Sequence, residues 1–191
     1  MNIPFDVSYH FDDNLRDIPN SPIQMQQAVE YLQTEFDKSV GDIEQQIYLA
    51  GLIGGYARML HDFKTAQQVL TTALNLCDRI NNKRLKIVNS IRLAHLYQWQ
   101  RQYENSEALL NWVLEQCQNN SEFKSYLDFA YQHFGKCKFD RAKYKEAEYY
   151  LSKALELRHQ KGDSSLIDST RLALEVVQQC RYELDRTLKK I

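Results

Sequence analysis

Apolar positions along most of the chain recur at spacings of three and four, and one phrase built on them appears three times. Phe63-x-x-Ala66-x-x-x-Leu70-x-x-Ala73-Leu74 is the first copy. Tyr103-x-x-Ser106-x-x-x-Leu110-x-x-Val113-Leu114 and Tyr144-x-x-Ala147-x-x-x-Leu151-x-x-Ala154-Leu155 are the others. Such spacing puts the aromatic, the small residue and the Leu on one helical stripe. Small residues let a neighbouring helix approach, and the aromatic and Leu fill the space beside it. The copies start at 63, 103 and 144, and self-similarity at a fixed period in this range marks a repeat architecture.

The flanking segments complete the plan. Ser21-Pro22 reads as a helix start, with Ile23, Ala28, Leu32 and Phe36 as its stripe and Gly41 as its end. Helices are expected over about 42–60, 63–80, 84–100, 103–117, 122–139 and 144–161. Turn formers Asn81-Asn82, Asn119-Asn120 and Gly162-Asp163 follow the second helices. A last helix over about 165–189 carries Leu166, Ala173, Val177, Cys180, Leu184 and Leu188 on one stripe. Arg171, Glu175, Arg181, Asp185 and Lys189 stand on its other face, the layout of a capping helix. Residues 1–20 follow another rhythm: Ile3, Phe5, Val7, Tyr9 and Phe11 alternate with polar or Pro positions. That period of two describes an extended arm with one apolar face. A lone strand in a helical chain must lie in a groove, pair with another molecule, or stay loose.

Small residues also stand nine positions upstream of each repeated aromatic, at Gly54, Ala94 and Gly135, each after an apolar residue. Together with the repeated phrase they resemble the tetratricopeptide repeat (TPR), a helix–turn–helix unit of about 34 residues. The middle copy, Leu93-Ala94-His95-Leu96-Tyr97, matches best. Ala57 and Lys138 depart from the family Tyr, no copy has the Trp, and no proline follows Pro22. Without a closing proline the second helix can run on by a turn, which suits the longer period. The resemblance covers about 42–161, as repeats 42–80, 84–118 and 122–161, and implies an all-α fold. Antiparallel helix pairs would stack in a right-handed superhelix within a helical domain, 21–191.

Composition narrows the function classes. A net charge of −1 argues against bulk attraction to nucleic acid or anionic membrane, and no apolar run approaches the ~20 residues needed to span a bilayer. The N-terminus lacks signal-peptide character, so a cytoplasmic location is expected. Cys77, Cys117, Cys137 and Cys180 are too dispersed for a metal or redox motif. Cys77, Cys117 and Cys180 read as apolar filler. Cys137, near an expected helix corner, reads as the most reactive. His10, His61, His95, His133 and His159 are scattered, and no nucleophile has an identifiable base. No enzymatic role, metal or cofactor is expected.

Binding is the better case. The resemblance implies a concave groove lined by first helices, here by Tyr48, Gly51, Gly55, Arg58 and Met59, then Arg92, His95, Gln98 and Trp99, then Gln132, His133, Lys136 and Phe139. Tyr48, Arg58, Arg92, His95, Trp99, Gln132, His133 and Lys136 form the expected peptide-binding set, suited to an extended, acidic partner. The family's dicarboxylate clamp is not expected, because Gly51, Gly55, Phe129 and His133 occupy its positions and only Arg92 matches. Gly51 and Gly55 have two open roles: close packing, or a shallow depression for a ligand. A protein- or peptide-binding scaffold is the leading expectation. A regulatory sensor whose groove binds a signalling peptide or its own arm, or a structural subunit, are the alternatives. The arm's apolar burial (about 1.5–3 kcal/mol per side chain) nearly balances the entropy of fixing it (about 1–2 kcal/mol per residue). Weak docking follows, in the chain's own groove or in a homodimer, with Asp6, Asp12 and Asp13 complementing Arg58, Arg92 and Lys136.

Overall fold

Three-residue links between helices set the repeat length. The computed structural model describes residues 2–188. Helices α1 (Pro22–Lys38), α2 (Ile43–Met59), α3 (Phe63–Arg79), α4 (Lys83–Trp99) and α5 (Tyr103–Asn119) are each 17 residues long. Each therefore spans about 26 Å. Helices α6 (Leu127–Asp140), α7 (Tyr144–Lys161) and α8 (Ser164–Leu188) follow. Where a link reverses the chain, its middle residue lies in the left-handed region: His61 (φ 61°), Asn81 (φ 51°), Arg101 (φ 60°) and Ala142 (φ 55°). At each, the next N–H returns to a carbonyl in the helix just ended: Asp62 to Ala57, Asn82 to Cys77, Gln102 to Tyr97 and Lys143 to Lys138. These are Schellman closures, made here by residues that carry a Cβ, at about 1–2 kcal/mol each. Asp42, Asp62, Asn82 and Asp163 then cap the next helix by accepting from the N–H three residues on.

The body is all-α, with sequential helices packed in adjacent pairs, and it divides into two compact units between Ser106 and Glu107. In the first unit α1 packs on α2, α2 on α3 and α3 on α4, and α2 also touches α4. In the second α6 packs on α7 and α7 on α8. No helix among the described residues is long and apolar enough to cross a membrane. The long period is shared between both helices of a pair, and the second helix does not run on alone. Between α5 and α6 the expected corner shifts: α5 continues through Asn119, a 3-10 turn covers Ser121–Tyr126, and α6 begins at Leu127. In α8, Ala173 and Val177 are buried but Leu184 is 43% exposed, so the apolar stripe is covered only along its first part. The side chain of Leu188, and Lys189, lie outside the described residues.

Two glycines show what the small positions do. A Cβ on Gly54 would stand 2.4 Å from Leu70 Cγ, and one on Gly135 would stand 2.6 Å from Leu151 Cγ. First and second helices of a pair meet through this contact. A Cβ on Gly55 would meet nothing within 4 Å. Gly54→Ala should therefore cost about 1–3 kcal/mol by overpacking. Gly55→Ala should add up to about 1 kcal/mol, through helix propensity alone. Urea denaturation distinguishes them, and equal effects would contradict the packing.

The arm finds its partner within itself. Tyr9–Phe11 (β1) pairs antiparallel with Asp17–Pro19 (β2), in the register Tyr9↔Pro19, His10↔Ile18, Phe11↔Asp17. Asp12 organises the loop: its Oδ1 accepts from Asn14 N (2.9 Å) and Arg16 N (2.7 Å), and its own N–H donates to Arg16 O (3.0 Å). Leu15 closes the loop at φ 59°, a left-handed conformation in which a Leu is strained. Burial of its side chain, 1% exposed, offsets that strain. Upstream, Ile3 packs against Leu32, Leu49 and Ile53, and Phe5 meets Tyr31 edge-on at 6.3 Å. The alternation holds for Ile3, Phe5, Val7 and Phe11, which are half-buried, whereas Tyr9 is 48% exposed.

Candidate functional site

Helices α2 and α4 present Arg58, His95 and Trp99 to one another, and the hairpin tip fills the space over them. Arg58 Nη2 donates to Asp17 Oδ2 at 2.6 Å, with both residues 4% exposed. The Arg58 guanidinium carbon lies 4.5 Å from the centre of the Trp99 ring, and the Arg16 guanidinium carbon lies 5.1 Å from it. Trp99 Nε1 donates to His95 Nε2 at 3.2 Å across one helical turn. A neutral His95 then carries its proton on Nδ1, which stands 3.9 Å from Asp17 Oδ2. His61 adds a ring contact to Trp99 at 5.3 Å. Burial pulls the Arg58 guanidinium below the usual arginine range, and Asp17 opposes that shift. Its Nη1 has no hydrogen-bond partner among the described residues.

The arm's acidic contact differs from the sequence expectation. Arg58, His95 and Trp99 converge, buried beneath the protein's own hairpin. The carboxylate that meets Arg58 is Asp17, and not Asp6, Asp12 or Asp13. Asp6 accepts from Ser8 N in its own turn, Asp12 is committed to the loop, and Asp13 is exposed. Leu15, Arg16 and Asp17 are the site residues that sequence reasoning missed. The signal was present: Asp12-Asp13-Asn14 stands between two extended runs, a hairpin pattern.

Further along the same two helices, Tyr48 and Arg92 form a second group. Arg92 Nη1 lies where a Cβ on Gly51 would stand (2.0 Å), so Gly51 serves packing by leaving room for a guanidinium from α4. Among the described residues that guanidinium makes one hydrogen bond, to Asn89 Oδ1 at 3.3 Å. Burial pulls it below the usual arginine range, while Tyr48 and Tyr56 oppose the shift. Gly55, one turn along, faces open space.

In the second unit, Gln132, His133 and Lys136 lie on α6. Gln132 (4% exposed) and Lys136 (2%) are buried rather than lining an open surface, and His133 is half-buried. One buried charge cluster there is one the sequence did not reveal. Asp128, 0% exposed, accepts from Arg158 Nε at 3.1 Å and from Lys161 Nζ. Arg158 Nη1 reaches on to Thr170 Oγ1 (2.6 Å) and Leu166 O (3.1 Å), tying α6, α7 and α8 together.

The thiols also differ from expectation. Cys137 is buried inside α6, with 0% exposure, and Cys180 is the half-exposed one. The expected helix corner at Cys137 comes later, at Ala142. Burial pushes Cys77 and Cys117 up to about 11. Ellman's reagent at pH 8 should modify Cys180 first, with Cys77 and Cys117 reacting only on unfolding. Unfolded thiols ionise near the ordinary value while these stay protonated. Their contribution to stability is therefore complete below about pH 9 and lost as pH rises toward 11.

No family model matches the chain, and a search of curated proteins returns no match.

Proposed function

We propose that the chain is a non-enzymatic, cytoplasmic binding module of tetratricopeptide-like design that takes an extended protein or peptide segment on the α2–α4 face. One observation carries this reading: that face already holds an extended segment. Asp17 is seated against Arg58 and His95, with Trp99 beneath Arg58 and Arg16. Aromatic and Arg anchors of this kind dominate peptide interfaces. The occupied face also favours the regulatory form of the reading, in which the hairpin competes with the partner.

A phage-displayed peptide library panned against the full chain tests it, alongside an Asp17→Arg variant whose hairpin is loosened. Selected peptides should be enriched in Asp or Glu, bind the variant more tightly, and lose about 30-fold in affinity on Trp99→Ala (about 2 kcal/mol). Lys153→Ala on α7, 46% exposed at its side chain, should change nothing. Binders indifferent to Trp99 would reject this face.

A further inference from the structure

We propose that Arg92, Tyr48 and Tyr56 form an oxyanion site on the open part of the α2–α4 face, and that it takes a single carboxylate of a bound peptide. The inference rests on the binding reading above and names the chemistry at one end of that face.

Arg92 carries a charge left over from the pairing on this face. Arg58 has Asp17 at 2.6 Å, but among the described residues no carboxylate reaches Arg92. Its one partner is the neutral Asn89 amide, itself 1% exposed and also donating to Leu85 O at 3.0 Å. A half-buried guanidinium with no carboxylate of its own gains from an anion beside it. The groups around it are donors as well. Tyr48 and Tyr56 make no hydrogen bond to the described residues, and burial pushes the Tyr56 hydroxyl up, so at neutral pH it remains a donor. Tyr48, Gly51, Gly55 and Tyr56 fall within one stripe of α2. Gly51 lets the guanidinium lie close against the helix, and Gly55 leaves the neighbouring turn without a side chain. The result is one fixed positive charge beside two hydroxyls that can donate to an anion, with no carboxylate of the described residues in reach. One guanidinium balances one negative charge. A carboxylate, planar and singly charged, matches its two-pronged face, whereas a phosphate dianion would be left half-neutralised.

The test uses the full-length chain, with N-acetylalanine and inorganic phosphate as probes, followed through the arginine Nε–Hε signals in nitrogen-15 NMR. N-acetylalanine should shift the Arg92 signal saturably, and Arg92→Gln should weaken its binding at least tenfold as read from backbone amides of α2. Gly55→Leu fills open space, so the fold should survive while binding falls at least tenfold as well. No saturable shift at Arg92, or binding untouched by Gly55→Leu, overturns the site. Phosphate binding more tightly than N-acetylalanine overturns the carboxylate assignment. Library peptides that depend on Trp99 while Arg92 stays silent would remove this inference and leave the binding face standing. The converse would remove the face alone.

Discussion

Replacing Asp128 by alanine is expected to cost about 3–5 kcal/mol of folding stability. Removing one partner of a buried ion pair has that effect because it strands the other charge. Here the stranded cation is Arg158, since Lys161 is exposed and can turn to water. Arg158 is 2% exposed and cannot shed its proton, and Lys161 Nζ loses Asp128 while retaining Ser125 O at 2.6 Å. Arg158 stays held by Thr170 and Leu166, so it cannot swing out to water without breaking the junction of α7 with α8. Urea denaturation of Asp128→Ala measures the loss. The double variant Asp128→Leu/Arg158→Met should recover much of it, since apolar groups of similar volume can replace a buried pair at little net cost. A loss under about 1 kcal/mol would mean that water reaches the cluster.

Asp17→Ala is expected to act in the first unit by a different route. It strands Arg58, 4% exposed, against the Trp99 ring, a change that costs about 3–5 kcal/mol when the structure cannot relax. The structure can relax here, because the hairpin is a short two-stranded element outside the helices, whose docking and entropy nearly balance. Undocking therefore limits the cost, and the helices survive. Residues 9–19 should lose amide-exchange protection, the emission of Trp99 (in a Trp112→Phe background) should change, and helix content should hold. Asp17→Arg with Arg58→Asp should restore protection in part. Unchanged exchange at 9–19 would show that the hairpin is held by Leu15 and Pro19 alone.

Much of the helical plan was legible in the chain. The repeated phrase at 63, 103 and 144 locates the starts of α3, α5 and α7 to the residue, because an aromatic after a three-residue link begins each. Ser21-Pro22 does the same for α1. Three of the four Schellman links escaped notice, since His61, Arg101 and Ala142 are not residues that turn rules nominate. The helix pairs on either side impose the left-handed conformation there. The candidate site was legible as a set of residue types on α2 and α4. Its division into a covered end and an open end was not.

Helix, period and the inward small residues follow from the sequence alone, because spacing of three and four is local information that any helix must express. The direction of the arm is the opposite case. In β2, Ile18 is the apolar residue and should point inward, yet Asp17 and Pro19 are buried and Ile18 is only half-buried. A carboxylate goes inside because Arg58, 41 residues away in the chain, is waiting there and would otherwise be a buried charge without a partner. Charge pairing across such a distance has no local signature. The same holds for Asp128 with Arg158, and for Arg92, whose lack of an acidic neighbour becomes visible only once α2 and α4 are packed together.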